Sequence, residues 1–152
     1  GRRGRRVADC SVVALDTRRW FDRSQPQTLQ IATWFLYLNG FFALIDFFDE
    51  SGWLGAARVL RGGIGTIVGL LVIAAYAAGG FLMANERKAG YYLGIFAAFS
   101  PFLLRFWLLS DSGASAWDKF TGGRLISFIF EAALCVLLLH PQSRSHARIW
   151  FK

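Results

Sequence analysis

Long apolar stretches alternate with short polar breaks along this chain. Four stretches run for about 20 residues with few charges: 28–48, 62–84, 90–109 and 121–139. At about 1.5 Å of rise per residue, each would form a helix close to the roughly 30 Å thickness of a bilayer's hydrocarbon core. The breaks at 49–61, 85–89 and 110–120 are short, so consecutive spans are expected to be antiparallel neighbours. The pattern therefore predicts an all-α integral membrane protein: a four-helix transmembrane bundle over 28–140 with no separate soluble domain.

The flanks differ in kind. Residues 1–27 open with "GRRGRR" and go on to mix Val12, Val13, Leu15, Trp20 and Phe21 with arginines. They read as a basic arm followed, over 7–23, by a helix lying on the membrane surface. The tail 141–152 reads as a second surface segment, and 49–61 as a short amphipathic helix on the outer side. The first apolar run lies too deep in the chain and is too long for a signal peptide, so it is expected to remain in the mature protein.

Composition supports lipid as the solvent: 55% of residues are hydrophobic, with 15 Phe and 6 Trp, more bulk than one small soluble core could hide. The net charge of +7 would suit nucleic acid, but its distribution does not. The basic residues gather at the ends of the apolar runs, where topology and anionic lipid headgroups account for them. With the amino terminus inside, Arg2, Arg3, Arg5, Arg6, Arg18, Arg19, Arg23, Arg87, Lys88, Arg144, Arg148 and Lys152 all fall on the inner side. These are twelve of the 17 Lys and Arg residues. Both termini are therefore expected in the cytoplasm. Trp20, Tyr91 and Tyr92 mark the inner boundary, and Trp53, Trp107 and Trp117 the outer one. Arginine outnumbers lysine and alanine and glycine are abundant, which points to a bacterial plasma membrane. Cys10 and Cys135 fall in different regions, so no disulfide is expected.

"GGIGTIVG" superficially looks like a phosphate-binding loop, but it sits inside an uncharged apolar run, with no strand before it. Gly65 and Gly69, like Ala74/Ala78 and Ala75/Gly79, instead suit close helix packing, as do Gly90 and Gly94 on the third run. Pro101 predicts a kink in mid-span. Asn39 suits a hydrogen bond between helices. His140 and His146 are too few and too close to one end for a zinc or haem site. Together with the lack of a nucleophile motif, this predicts a non-enzyme with no metal and no cofactor.

Four ionisable residues remain inside the runs: Asp46, Arg105, Arg124 and Glu131. Glu131 falls at the midplane, Arg124 about 10 Å nearer the outer face, and Arg105 and Asp46 about 8 and 12 Å outward on their own helices. All four can converge as an intramembrane charge network. A lone charge at that depth costs about 3 kcal/mol, so Glu131 should pair with an arginine, Arg105 or Arg124, be protonated, or face a polar cavity. Three functions follow as expectations. One is an accessory subunit of a transport or respiratory complex, with other membrane subunits as partners. Another is a proton-coupled transporter using Glu131, and the last a lipid-binding protein using Arg105 and Arg124. In length and span count alone the chain resembles the four-span multidrug exporters. Those carry their working carboxylate on the first span, where this chain has only Asp46 near the outer end.

Overall fold

The computed structural model describes residues 15–50, 52–110, 113, 115–121 and 124–152. Among these the chain is all helical, with six helices. They are α1 (Gln27–Phe48), α2 (Trp53–Ala84), α3 (Lys88–Leu108), α4 (Ala116–Thr121), α5 (Leu125–Leu139) and α6 (Pro141–Trp150). Helix α2 packs along α1 and α3, and α5 closes the square against the same two, so α2 and α5 stand on opposite corners. Leu29, Leu36, Leu54, Tyr76, Met83, Leu134 and Leu138 fill the centre. Outward, Trp34, Phe41, Leu71, Leu103 and Ile126 stand exposed on the four long helices. An apolar surface that continuous suits lipid better than water.

Helices α1, α2 and α3 are each long and apolar enough to cross a membrane. The fourth run departs from expectation. Its helix starts only at Leu125 and has 15 residues, about 22 Å of rise, which is short of a bilayer core. It counts as a fourth span only together with α6, from which it is bent by 53°. The bend has a local cause: Pro141 disfavours helical backbone at the preceding residue, and His140 is extended (φ −56°, ψ 137°). The α5 carbonyls left open there are taken up by side chains. Ser143 Oγ donates to Leu137 O (2.7 Å) and Tyr91 Oη to Leu138 O (2.6 Å).

The second run also differs. Helix α2 begins at Trp53, so most of the break expected over 49–61 is helix, and Leu54, Gly55 and Ala57 are buried rather than resting on a surface. Its first turns join the span through Gly62, whose backbone (φ 56°, ψ −129°) excludes a side chain. Gly65 then lies directly on the Ala57 carbonyl, so it packs against the start of its own helix and not against a neighbour. Gly69 receives the Phe47 ring of α1. Gly90 meets the Leu82–Met83 backbone, and Gly94 lies between Leu36 and Met83. A methyl on Gly79 would come within 3.1 Å of the Gly94 nitrogen, so α2 and α3 approach backbone to backbone at this end.

Helix α3 continues through Pro101 with helical backbone. Proline cannot donate to the carbonyl four residues earlier, that of Ala97, and the Ser100 hydroxyl donates to it instead (2.8 Å). Asn39 Nδ2 donates within its own helix, to Phe35 O (2.8 Å), and not across to another.

One end of the bundle gathers three segments distant in sequence. The surface helix expected over 7–23 lies outside the described residues up to 14; from 15 to 26 the chain forms turns. Asp16 N donates to Asn85 Oδ1 (2.9 Å), Asn85 Nδ2 to Arg19 O (3.1 Å) and Gln25 Nε2 to Met83 O (2.7 Å). Lys152 bridges the α2–α3 turn from the other side, its N donating to Glu86 O and its O accepting from Lys88 N, both at 2.9 Å. Arg18, Arg19, Arg23, Arg87, Lys88, Arg144, Arg148 and Lys152 thus share one end.

Candidate functional site

The buried polar centre lies toward the opposite end, where α3 and α5 present one charge each. Glu131 stands on the inward face of α5, and Arg105, in the last turn of α3, reaches it with both arms of its guanidinium. Nη1 donates to Oε2 and Nη2 to Oε1, each at 2.7 Å. The side chains are only 2% and 7% exposed, so this is a bidentate pair shut off from the surroundings. Nη1 also donates to Phe120 O (3.2 Å), tying α4 to the pair, and the guanidinium carbon lies 5.3 Å from the centre of the Trp53 ring. Among the described residues, Arg105 Nε has no partner.

Asp46 and Arg124 form a second, outer pair. Arg124 Nη1 donates to Asp46 Oδ1 (2.7 Å), while its Nη2 lies 3.5 Å from Asp49 Oδ2. Arg124 is not within a span as expected. It sits just ahead of α5 with its side chain 42% exposed, because the helix starts one residue later. The four charges are therefore two pairs at two depths: a dry one between α3 and α5, and a wetter one between α1 and the start of α5. Arg58 over Phe47 (5.3 Å) and Arg61 over Trp107 (4.8 Å) rest their cations on aromatic faces at this same end.

A cavity of about 20 Å³ separates the pairs, lined by Asn39, Asp46, Trp53, Tyr76, Ser127 and Glu131 among others. It has room for about one water molecule and enough polar partners to hold it. Tyr76 and Trp53 belong to this site, although nothing in their sequence neighbourhood relates them to Glu131. Only the packing of α2 along α1 and α3, the two helices that also hold α5, brings them in.

Polar ties continue down the α3–α5 seam. Cys135 Sγ contacts Ala98 O (3.4 Å) one turn below Glu131, and Tyr91 Oη holds Leu138 O a turn further on. Arg105/Glu131, Ala98/Cys135 and Tyr91/Leu138 thus form an antiparallel ladder of three rungs. Where water does not compete, such rungs hold helices together. Gly65, Gly69, Gly90, Gly94 and Pro101 shape the bundle without touching the charged centre. Comparison with protein-family models, with curated proteins and with solved structures finds no match to this chain.

Proposed function

We propose that this protein is a non-catalytic subunit of a larger bacterial plasma-membrane assembly, a transport or respiratory complex, which it stabilises by helix packing with both termini in the cytoplasm. One observation carries the reading. The buried carboxylate of Glu131 has both oxygens held by a guanidinium of the same fold. A carrier of protons or cations must release and rebind its carboxylate at each cycle, whereas a bidentate buried pair favours one fixed arrangement. Arg105, turned inward and closed off, is likewise poorly placed to bind a lipid phosphate.

The outer surface supports a partner. Between α2 and α3, Val68, Leu71, Ala74, Ala78, Phe96 and Leu103 line an apolar groove of about 580 Å³. Ala74 and Ala78, which suit close helix packing, border this groove, and small residues there let another helix come close. The gathering of eight basic residues at one end agrees with that end facing the cytoplasm.

Purification from the native host in mild detergent tests the reading. Stoichiometric co-purification of other membrane subunits is expected, with Glu131→Gln weakening that assembly but leaving the proton-coupled flux per assembled complex in vesicles unchanged. A chain that runs alone, or flux per assembled complex abolished by that variant, would refute it.

A further inference from the structure

The basic end carries a groove that the charge pairs do not use. It opens where α6 turns away from α5 beside the start of α3, with a volume of about 1070 Å³. Lys88 from α3 and Arg144 and Arg148 from α6 form its charged rim. Tyr92, Ile95 and Leu139 form its wall. No carboxylate lines it, and among the described residues none of the three cations has an ion pair.

The vertical order of these groups defines what fits. Ile95 lies two helical turns beyond Lys88, about 10 Å along α3, so an apolar wall descends from a basic rim. Tyr92, 68% exposed, stands between them with an amphipathic ring suited to the headgroup boundary. A soluble anion would match the rim but leave Ile95 and Leu139 wet; a neutral lipid would match the wall but leave three cations without a counter-charge. From this complementarity we infer that the groove binds one anionic phospholipid, its phosphate among Lys88, Arg144 and Arg148 and an acyl chain along Ile95 and Leu139.

The site is separate from the Arg105–Glu131 pair, and it depends on α6 holding its angle. Ser143 secures that angle with a second contact, Oγ to Thr28 Oγ1 (3.1 Å), which fixes α6 to the start of α1. A bound lipid would bridge α3 and α6 across the groove and reinforce the same corner.

The test titrates the full-length, detergent-purified chain with dioleoyl phosphatidylglycerol, dioleoyl phosphatidylcholine or inorganic phosphate, and reads bound lipid by native mass spectrometry. Phosphatidylglycerol should bind in preference to phosphatidylcholine, and inorganic phosphate should not displace it. Neutralising the rim (Lys88→Gln, Arg144→Gln and Arg148→Gln together) should weaken phosphatidylglycerol by about 100-fold at low salt. Neutralising Arg18 and Arg23, exposed at the same end but outside the groove, should leave it unchanged. A rim restored as Arg144→Lys and Arg148→Lys should keep the preference, which separates lost charge from lost fold. Equal weakening by both neutralised sets, no preference for phosphatidylglycerol, or displacement by inorganic phosphate would each overturn the assignment.

Discussion

Breaking the Arg105–Glu131 pair from one side gives the sharpest test of how this bundle is held. Two charge centres about 4 Å apart attract by about 4 kcal/mol at an effective dielectric constant near 20. Removing one member of a buried pair costs about 3–5 kcal/mol, because the survivor stays buried without its counter-charge. The two routes agree, so Arg105→Met and Glu131→Leu should each destabilise the chain by about 4 kcal/mol. For a chain of this length about 1 kcal/mol moves the thermal midpoint by about 2–4 °C, so each variant should unfold about 8–16 °C lower in detergent.

The double variant Arg105→Met/Glu131→Leu decides the cause. Apolar side chains of similar size remove both charges at once and avoid desolvation, leaving only the Phe120 carbonyl without its donor, about 1 kcal/mol. It should therefore be markedly more stable than either single variant, with a coupling of several kcal/mol between the sites. Arg105→Lys keeps the charge but not the two-armed geometry and should fall in between. Scanning calorimetry or intrinsic tryptophan fluorescence on the four variants closes the cycle. Additive losses would refute the reasoning, since they would mean that the two residues act through separate neighbours and not on each other.

Three further outcomes follow from the geometry. Gly90→Ala forces a methyl into the Leu82–Met83 backbone and should cost about 1–3 kcal/mol, read as a lower unfolding midpoint; an unchanged midpoint would show that α2 and α3 are free to separate there. Ser100→Ala orphans the Ala97 carbonyl beside Pro101 and should cost about 1–2 kcal/mol in the same assay, whereas Ser100→Thr should keep the bond. Burial alone would raise the Asp22 carboxyl, but the Ser24 N–H and hydroxyl and the Arg19 guanidinium outweigh it and hold it below its ordinary value of 3.8. The ionised form is thus favoured by the fold, and its contribution is present above about pH 4 and lost as the pH falls through the lowered value. The 15–25 segment should loosen in acid, seen as a change in Trp20 fluorescence that Asp22→Asn produces already at neutral pH.

Where apolar runs have clean edges, the sequence located helices closely: 28–48 against Gln27–Phe48, and 90–109 against Lys88–Leu108. The start of α2 at Trp53 was missed because Arg58 and Arg61 read as the charged face of a separate short helix on the outer surface. Folded, their cations rest on the Phe47 and Trp107 rings, which lets a helix form through them. The fourth run was overread at its start, because composition is continuous from 121 to 139 whereas α5 begins at Leu125. That Glu131 needed a counter-charge, a proton or a polar cavity followed from its depth alone. Which arginine would supply the counter-charge did not, since that depends on where α5 begins. Moving the start to Leu125 leaves Arg124 at the rim with Asp46 and gives the interior to Arg105. Tyr76 read as an ordinary aromatic residue in an apolar context and Trp53 only as a marker of the outer boundary, so neither pointed to the charged centre.

The short α5 explains why the strongest polar contacts fall where they do. A helix of about 22 Å cannot match a bilayer core by length, so its ends must be satisfied by its neighbours and not by water at the two boundaries. Each end has such partners: Ser143 and Tyr91 take the last carbonyls, and Arg124 and Asp46 fix the start. Between them the Arg105–Glu131 pair, which α5 could not carry as a lone carboxylate, fastens it to the long helix α3. The buried charge is then a consequence of fold: it secures a helix that hydrophobic length alone would leave adrift. The same logic ties the lipid groove to the bundle, since α6 can turn out at 53° and present its arginines only because α5 ends early.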